Sequence, residues 1–259
     1  MLEAIPAGER TLKNAAEYLY TMALGRRGNL DQAIQIAERY IQQEASSSGM
    51  GPVLTLMPFV SRAYLMKGCL AKSERICLEA LNPTIKHNLR FQYASGSFKV
   101  DLGEIYYERN QLKLAEQSVR EGLKDNQHWE NIMTEGFGLV ALAHILIAKR
   151  DFHGAEQVID QFETRMSHPT RPAEFDEEYH TLRVRAQLAE GRIEEAAVWA
   201  EAIQHSGAFR QHPDSYRYTI AKILIAQHRY AEAVEMLTNM VILPPVGSFR
   251  SRQISVQLH

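Results

Sequence analysis

Cysteine is nearly absent: the 259 residues contain only Cys69 and Cys77. Two thiols are too few for the disulfide framework of a small secreted domain, and they suit a reducing compartment. The N-terminus, MLEAIPAGERTLKNAAEYLY, lacks the basic stretch and apolar run of a secretory signal. Long apolar runs are missing as well, since the best, Phe137–Ala148, is interrupted by His144 and is too short to cross a bilayer. These absences predict a soluble, cytoplasmic protein with no membrane contact. Charge of one sign is also lacking: 29 Lys and Arg face 31 Asp and Glu, a net charge of −2. Binding to a phosphate backbone draws on a basic surplus that is not there. No direct nucleic-acid contact is expected of this chain.

Motifs that carry chemistry are missing too. The ten histidines are scattered, with no H-E-x-x-H and no Cys/His pairs at zinc spacing. No G-x-x-x-x-G-K-[ST] cradles a phosphate and no Gly-x-Ser-x-Gly presents a nucleophile. Neither metal, cofactor nor catalysis is expected, so the chain reads as a non-enzyme. The acidic run Glu174-Phe175-Asp176-Glu177-Glu178 opens a helix, where it meets the helix dipole favourably. Cys77 falls at a packing position and reads as a buried structural thiol.

What the chain has is a repeat. Turns of one form recur: a small or polar residue, any residue, an apolar anchor, two further residues, then a small one. The anchors are Leu30, Leu70, Leu112, Phe152, Ile193 and Tyr230, and the small residues three later are Ala33, Ser73, Ala115, Ala155, Ala196 and Ala233. Their spacings are 40, 42, 40, 41 and 37. Nine before the anchor stand Thr21, Ser61, Gly103, Ala143, Val184 and Ala221, small or slender residues that let two helices approach. Apolar residues ten and six before, and seven and ten after, complete one helical face on each side of the turn. Only the fifth repeat departs, with Arg183 and Gln187, and Leu182 and Leu188 are expected to take over its packing. Each unit is therefore helix A, a tight turn and helix B, whose apolar faces are buried by the next unit.

The small residue at minus nine, the apolar residues at minus ten and minus six, and the small residue after the anchor resemble the tetratricopeptide repeat. That repeat is ordinarily about 34 residues long, and the tryptophan it often carries thirteen before the anchor is replaced here by Glu17, Met57, Lys99, Leu139, His180 and Arg217. The period near forty and segments such as Ala186-Gln187-Leu188-Ala189-Glu190-Gly191-Arg192-Ile193-Glu194-Glu195-Ala196 resemble one bacterial group more closely. That group is the superhelical sensor region of large ATP-binding LuxR-type transcriptional regulators, the maltose-regulon-activator-like proteins. The resemblance implies an all-α fold, a right-handed α-solenoid of about six tetratricopeptide-like hairpins plus a truncated final helix. One superhelical domain would fill 1–259, with repeats at approximately 11–45, 52–82, 88–124, 131–166, 173–205 and 213–242 and a partial repeat at 248–259. Ile254, Val256 and Leu258 would then be disordered or packed on a neighbouring chain, so self-association is one expectation. The resemblance also implies a piece of a larger regulator, working with the other domains of its parent.

In such stacks the A helices line the concave face, and the residue after the small packing position looks into it. Eight before the anchors stand Met22, Arg62, Glu104, His144, Arg185 and Lys222. Nearby positions add Tyr18, Ser97, Tyr107, Phe137, Glu178, Thr181 and Tyr218. Aromatic faces beside charged hydrogen-bonding groups suit an anionic or polyhydroxylated effector, or a peptide. A second reading makes Arg62, Glu104, Arg185 and Lys222 solvated groups or inter-repeat ion pairs, and His144 a hydrogen-bonded core residue. On the first reading, truncating Arg62 or Arg185 weakens binding and leaves the thermal midpoint nearly unchanged. The functional expectation is a non-catalytic sensor for a small-molecule effector or a regulatory protein. The alternative is a free-standing scaffold for protein–protein interaction.

Overall fold

In the computed structural model the recurring turn closes one helix and opens the next. The structure describes residues 16, 19–21, 23–25, 29–45, 51–82, 89–167, 172, 175–206, 209 and 213–242. Two residues before the anchor the backbone enters the left-handed region, with φ of 72° at Gly68, 57° at Asn110, 61° at Arg150, 92° at Gly191 and 62° at His228. The following amide then reaches back to the carbonyl five residues earlier: Cys69 to Tyr64 (2.9 Å), Asp151 to Leu146 (2.9 Å), Arg192 to Gln187 (2.9 Å) and Arg229 to Leu224 (2.8 Å). This closure satisfies carbonyls that the helix end would otherwise leave open. Glycine adopts it freely, whereas a side chain there costs about 1–2 kcal/mol, asparagine less.

Every element with described bounds is an α-helix. They are α1 (Leu30–Ala45), α2 (Gly51–Met66), α3 (Leu70–Ala80), α4 (Leu89–Glu108), α5 (Leu112–Asn126), α6 (Ile132–Ala148), α7 (Phe152–Met166), α8 (Asp176–Glu190), α9 (Ile193–Gln204), α10 (Pro213–Ala226) and α11 (Tyr230–Ile242). The described residues near 16–25 are also helical and precede the first turn. The chain is an all-α, tetratricopeptide-like solenoid of helical hairpins, as the period implied.

Its contacts form two compact units, with α5 contributing to both. One unit takes the described residues through Asn110 together with Gln117–Trp129; the other takes Gln111–Glu116 and Glu130 onward. In the first unit α2 packs on α1 and α3, and α4 lies against both α2 and α3. Ile34, Ala37 and Tyr40 meet Leu56, Val60 and Ala63 in one core cluster, and Cys77 and Ala80 meet Phe98, Leu102 and Ile105 in another. Glycine is required where α4 crosses α5: a Cβ on Gly122 would stand 2.7 Å from the Gly96 carbonyl oxygen.

In the second unit α6 pairs with α7, α8 lies against both, and α10 lies against α8 and α9 before pairing with α11. Val184, Ala196, Ala200, Tyr216, Ile220 and Leu224 share its last core cluster. Phe175 is fully buried, edge-on to Phe137 with ring centroids 4.9 Å apart.

The minus-nine residues Thr21, Ser61, Gly103, Ala143, Val184 and Ala221 are all buried. Leu182 is buried as expected, while Arg183 turns outward to Glu163 and Asp160, 2.7 Å from each. Three details differ from the sequence reading. Tyr20, the apolar residue ten before the first anchor, is 44% exposed. Helix α2 starts at Gly51, because a proline in the first turn gives up only an amide that has no partner there. Helix α5 runs through Asp125 and Asn126, past the repeat end expected near 124. Tyr18, Met22 and the partial repeat at 248–259, with Ile254, Val256 and Leu258, lie outside the described residues.

Candidate functional site

Arg62, on α2, is an enclosed cation of the row, its side chain 14% exposed. Its Nη2 lies 2.5 Å from Asp101 Oδ1 and its Nη1 2.5 Å from Glu104 Oε1, both on α4. One guanidinium therefore serves two carboxylates, and this part of the row carries a net negative charge. Asp101 is almost fully buried, and burial pushes its carboxyl up to about 6 against the opposing pull of Arg62. Its Oδ2 has no hydrogen-bond partner. Around it lies a buried polar layer: Ser61 Oγ is 3.1 Å from Ser73 Oγ and 3.0 Å from Cys77 Sγ. Burial holds the Cys77 thiol well above its usual range. Glu104 is partly exposed, and Tyr107, nearly one turn further along α4, is half-buried.

Sequence reasoning missed Asp101, which stands eleven before its anchor and outside the register used for the groove. The signal was its i, i+3 relation to Glu104, which sets two carboxylates on one face of α4.

In the second unit Arg185, on α8, donates from Nη2 to Glu177 Oε1 at 2.8 Å and from Nε to Thr219 Oγ1 on α10 at 3.2 Å. Thr181 is fully buried and donates its hydroxyl to the Glu177 carbonyl at 2.8 Å. A chain of contacts thus runs Thr181, Glu177, Arg185, Thr219, tying one A helix to the next. Glu177 and Thr219 were not among the expected site residues. Glu178 is buried. Phe137 is half-buried against Phe175, and His144 is half-buried on α6. Lys222 is exposed and sets its Nζ 4.6 Å from the ring centroid of Tyr218, a cation–π contact within α10.

The structure therefore joins Arg62 with Glu104, and Tyr218 with Lys222, and ties Arg185 and Thr181 to Glu177. The row is less cationic than its composition suggests, because carboxylates already neutralise Arg62 and Arg185. A ligand that engages either arginine must compete with an ion pair already formed. Among the described residues no group of His, Cys, Asp and Glu is placed to hold a metal, and no helix is long and apolar enough to cross a membrane. The fold itself is a typical non-catalytic scaffold.

Comparison with known proteins matches residues 2–243 to the family described as the MalT-like TPR region. Among solved structures the chain is similar to BtubC (BKLC) from P. vanneervenii, at 15% identity and a TM-score of 0.52, covering 90% of this chain and 92% of that one. At that identity the likeness shows the fold alone. A putative kinesin light chain from Podosopora anserina, with nearly identical TPR-like repeats, is 14% identical over 83% of this chain and 98% of that one, with a TM-score of 0.47. No curated protein matches the chain.

Proposed function

This chain belongs to the MalT-like TPR family, and we propose that it is the sensing module of a bacterial LuxR-type transcriptional regulator. It binds a small effector or a regulatory protein through its A helices, in the cytoplasm, and passes the result to other domains of the parent protein. It performs no chemistry and touches no nucleic acid itself. Repeats of this kind generally mediate protein–protein interaction, and effector sensing in a regulator is the finer reading.

The observation that carries it is the inter-repeat node at Arg185. The guanidinium holds Glu177 on its own helix and Thr219 on the next A helix, 2.8 and 3.2 Å away. A ligand that takes a hydrogen bond from Arg185 changes the contact between α8 and α10. Sensing requires that kind of differential interaction with two arrangements of the same chain.

Thermal-shift screening of the chain against sugars, carboxylic acids, aromatic metabolites and candidate regulatory proteins tests this reading. A saturable rise in the midpoint with one of them is expected. A screen with no saturable shift contradicts it.

A further inference from the structure

Successive hairpins are tied by an ionic strut at four joints, at matching positions in the middle two. A cation at the end of one A helix reaches an acid early in the preceding B helix: Lys67 to Asp31, Arg109 to Glu74 (2.7 Å), Lys149 to Glu116, and Arg192 to Glu156 (2.6 Å). Glu74, Glu116 and Glu156 each stand four residues after an anchor, and Lys67, Arg109 and Lys149 three before one. At the next joint the two positions used by Arg109–Glu74 and Lys149–Glu116 hold neutral residues. Four after Ile193 comes Ala197, and three before Tyr230 comes Gln227.

In place of the strut is an open groove of about 450 Å³ between α9, α10 and α11, and both Ala197 and Gln227 line it. The volume falls within the range of ligand pockets, roughly 300–1,000 Å³. Its floor is the edge of the core, where Ile220, Ile223 and Leu224 are buried and Met236 is half-buried. Three carboxylates, Glu201, Glu232 and Glu235, face two guanidiniums, Arg217 and Arg229, which leaves an acidic surplus. Arg229 is already bound to both oxygens of Glu232, at 2.7 and 2.6 Å. Glu201 and Glu235 are exposed at the rim. Val198 and Val234, on the same two B helices, are 68% and 63% exposed.

We propose that this groove docks a peptide segment of a partner protein in which a basic side chain is flanked by aliphatic residues. The aliphatic flanks lie on the apolar lining, and the cation meets Glu201 and Glu235. Such a division gives affinity through the apolar contacts and selectivity through charge. The site is separate from the A-helix row, none of whose ten candidate residues lines it. Failure of effector binding at Arg185 therefore leaves this proposal standing, and the reverse also holds.

Fluorescence anisotropy on the whole chain tests it, with a labelled, end-blocked pentapeptide Leu-Leu-Arg-Leu-Leu and its counterpart with a central glutamate. The basic peptide is expected to bind saturably, and the acidic one about tenfold more weakly or worse. Glu201→Gln with Glu235→Gln, both at the exposed rim, is expected to weaken the basic peptide by roughly tenfold. Ala197→Glu with Gln227→Arg restores the missing strut across the groove and is expected to abolish binding while the helical circular dichroism is kept. Absence of saturable binding overturns the proposal, as does equal affinity for the two peptides. Undiminished binding to the rim variant also overturns it.

Discussion

Arg109 donates to both carboxylate oxygens of Glu74, 2.7 Å each, and so ties the end of α4 to the B helix before it. That hydrogen bonding is the leading cause holding the Glu74 carboxyl below its usual range. The geometry is bidentate, but the Arg109 side chain is 36% exposed and solvent screens the pair. A double-mutant cycle with Arg109→Ala and Glu74→Ala is expected to give a coupling of about 0.5–1 kcal/mol. The coupling should shrink as salt is raised, because exposed pairs are screened. Urea denaturation at low and high salt measures both.

Arg62 behaves differently because its partners are enclosed. Removing it leaves Asp101 buried and unpaired, and Arg62→Ala is expected to cost about 3–5 kcal/mol. This reverses the expectation from sequence that the thermal midpoint stays put. Replacing the pair together, by Arg62→Met with Asp101→Leu, should cost much less, since no uncompensated charge remains. Differential scanning calorimetry of the two variants decides the matter.

The pH dependence follows from the same carboxyl. Burial raises Asp101 from 3.8 unfolded to about 6 in the fold, with Arg62, Glu104, Ser61 and Cys77 around it. The folded chain thus holds a proton that the unfolded chain has already released. Stability is greatest below the unfolded value and falls as pH rises from about 4 to about 6, by at most roughly 3 kcal/mol. Urea midpoints of the wild type and Asp101→Asn across that window should diverge, the variant lacking this part of the slope.

Arg150 holds φ at 61° in a turn where two other repeats use glycine. Its side chain is exposed. Arg150→Gly is expected to stabilise the fold by about 0.5–1 kcal/mol, the relief of strain exceeding the entropy that glycine adds to the unfolded chain. Thermal unfolding checks the sign.

The repeat was legible because its marks are local and recurrent. The left-handed turn position shows as Gly68, Asn110 and Gly191, and the close helix crossing shows as Thr21, Ser61, Gly103 and Ala143. The register of the A-helix row could also be counted. What its members touch could not, because Arg62 meets Asp101 and Arg185 meets Thr219 across more than thirty residues of sequence. Arg62 and Lys222 look alike in the row, yet one is enclosed by two carboxylates and the other lies exposed over a ring. The groove at Ala197 and Gln227 was invisible for a related reason. It shows only against the struts at the preceding joints, and those are contacts, not residue types.

The proposal that the A-helix row senses a ligand through Arg185 is probed by a single conservative substitution there. Arg185→Lys keeps the charge and removes the planar fork that joins Glu177 to Thr219. The unliganded midpoint should move little, since the ammonium of the variant can still pair with Glu177. Isothermal titration of wild type and variant with the strongest binder from the thermal-shift screen is predicted to show roughly tenfold weaker binding in the variant. Equal affinities in the two proteins would rule out sensing through Arg185.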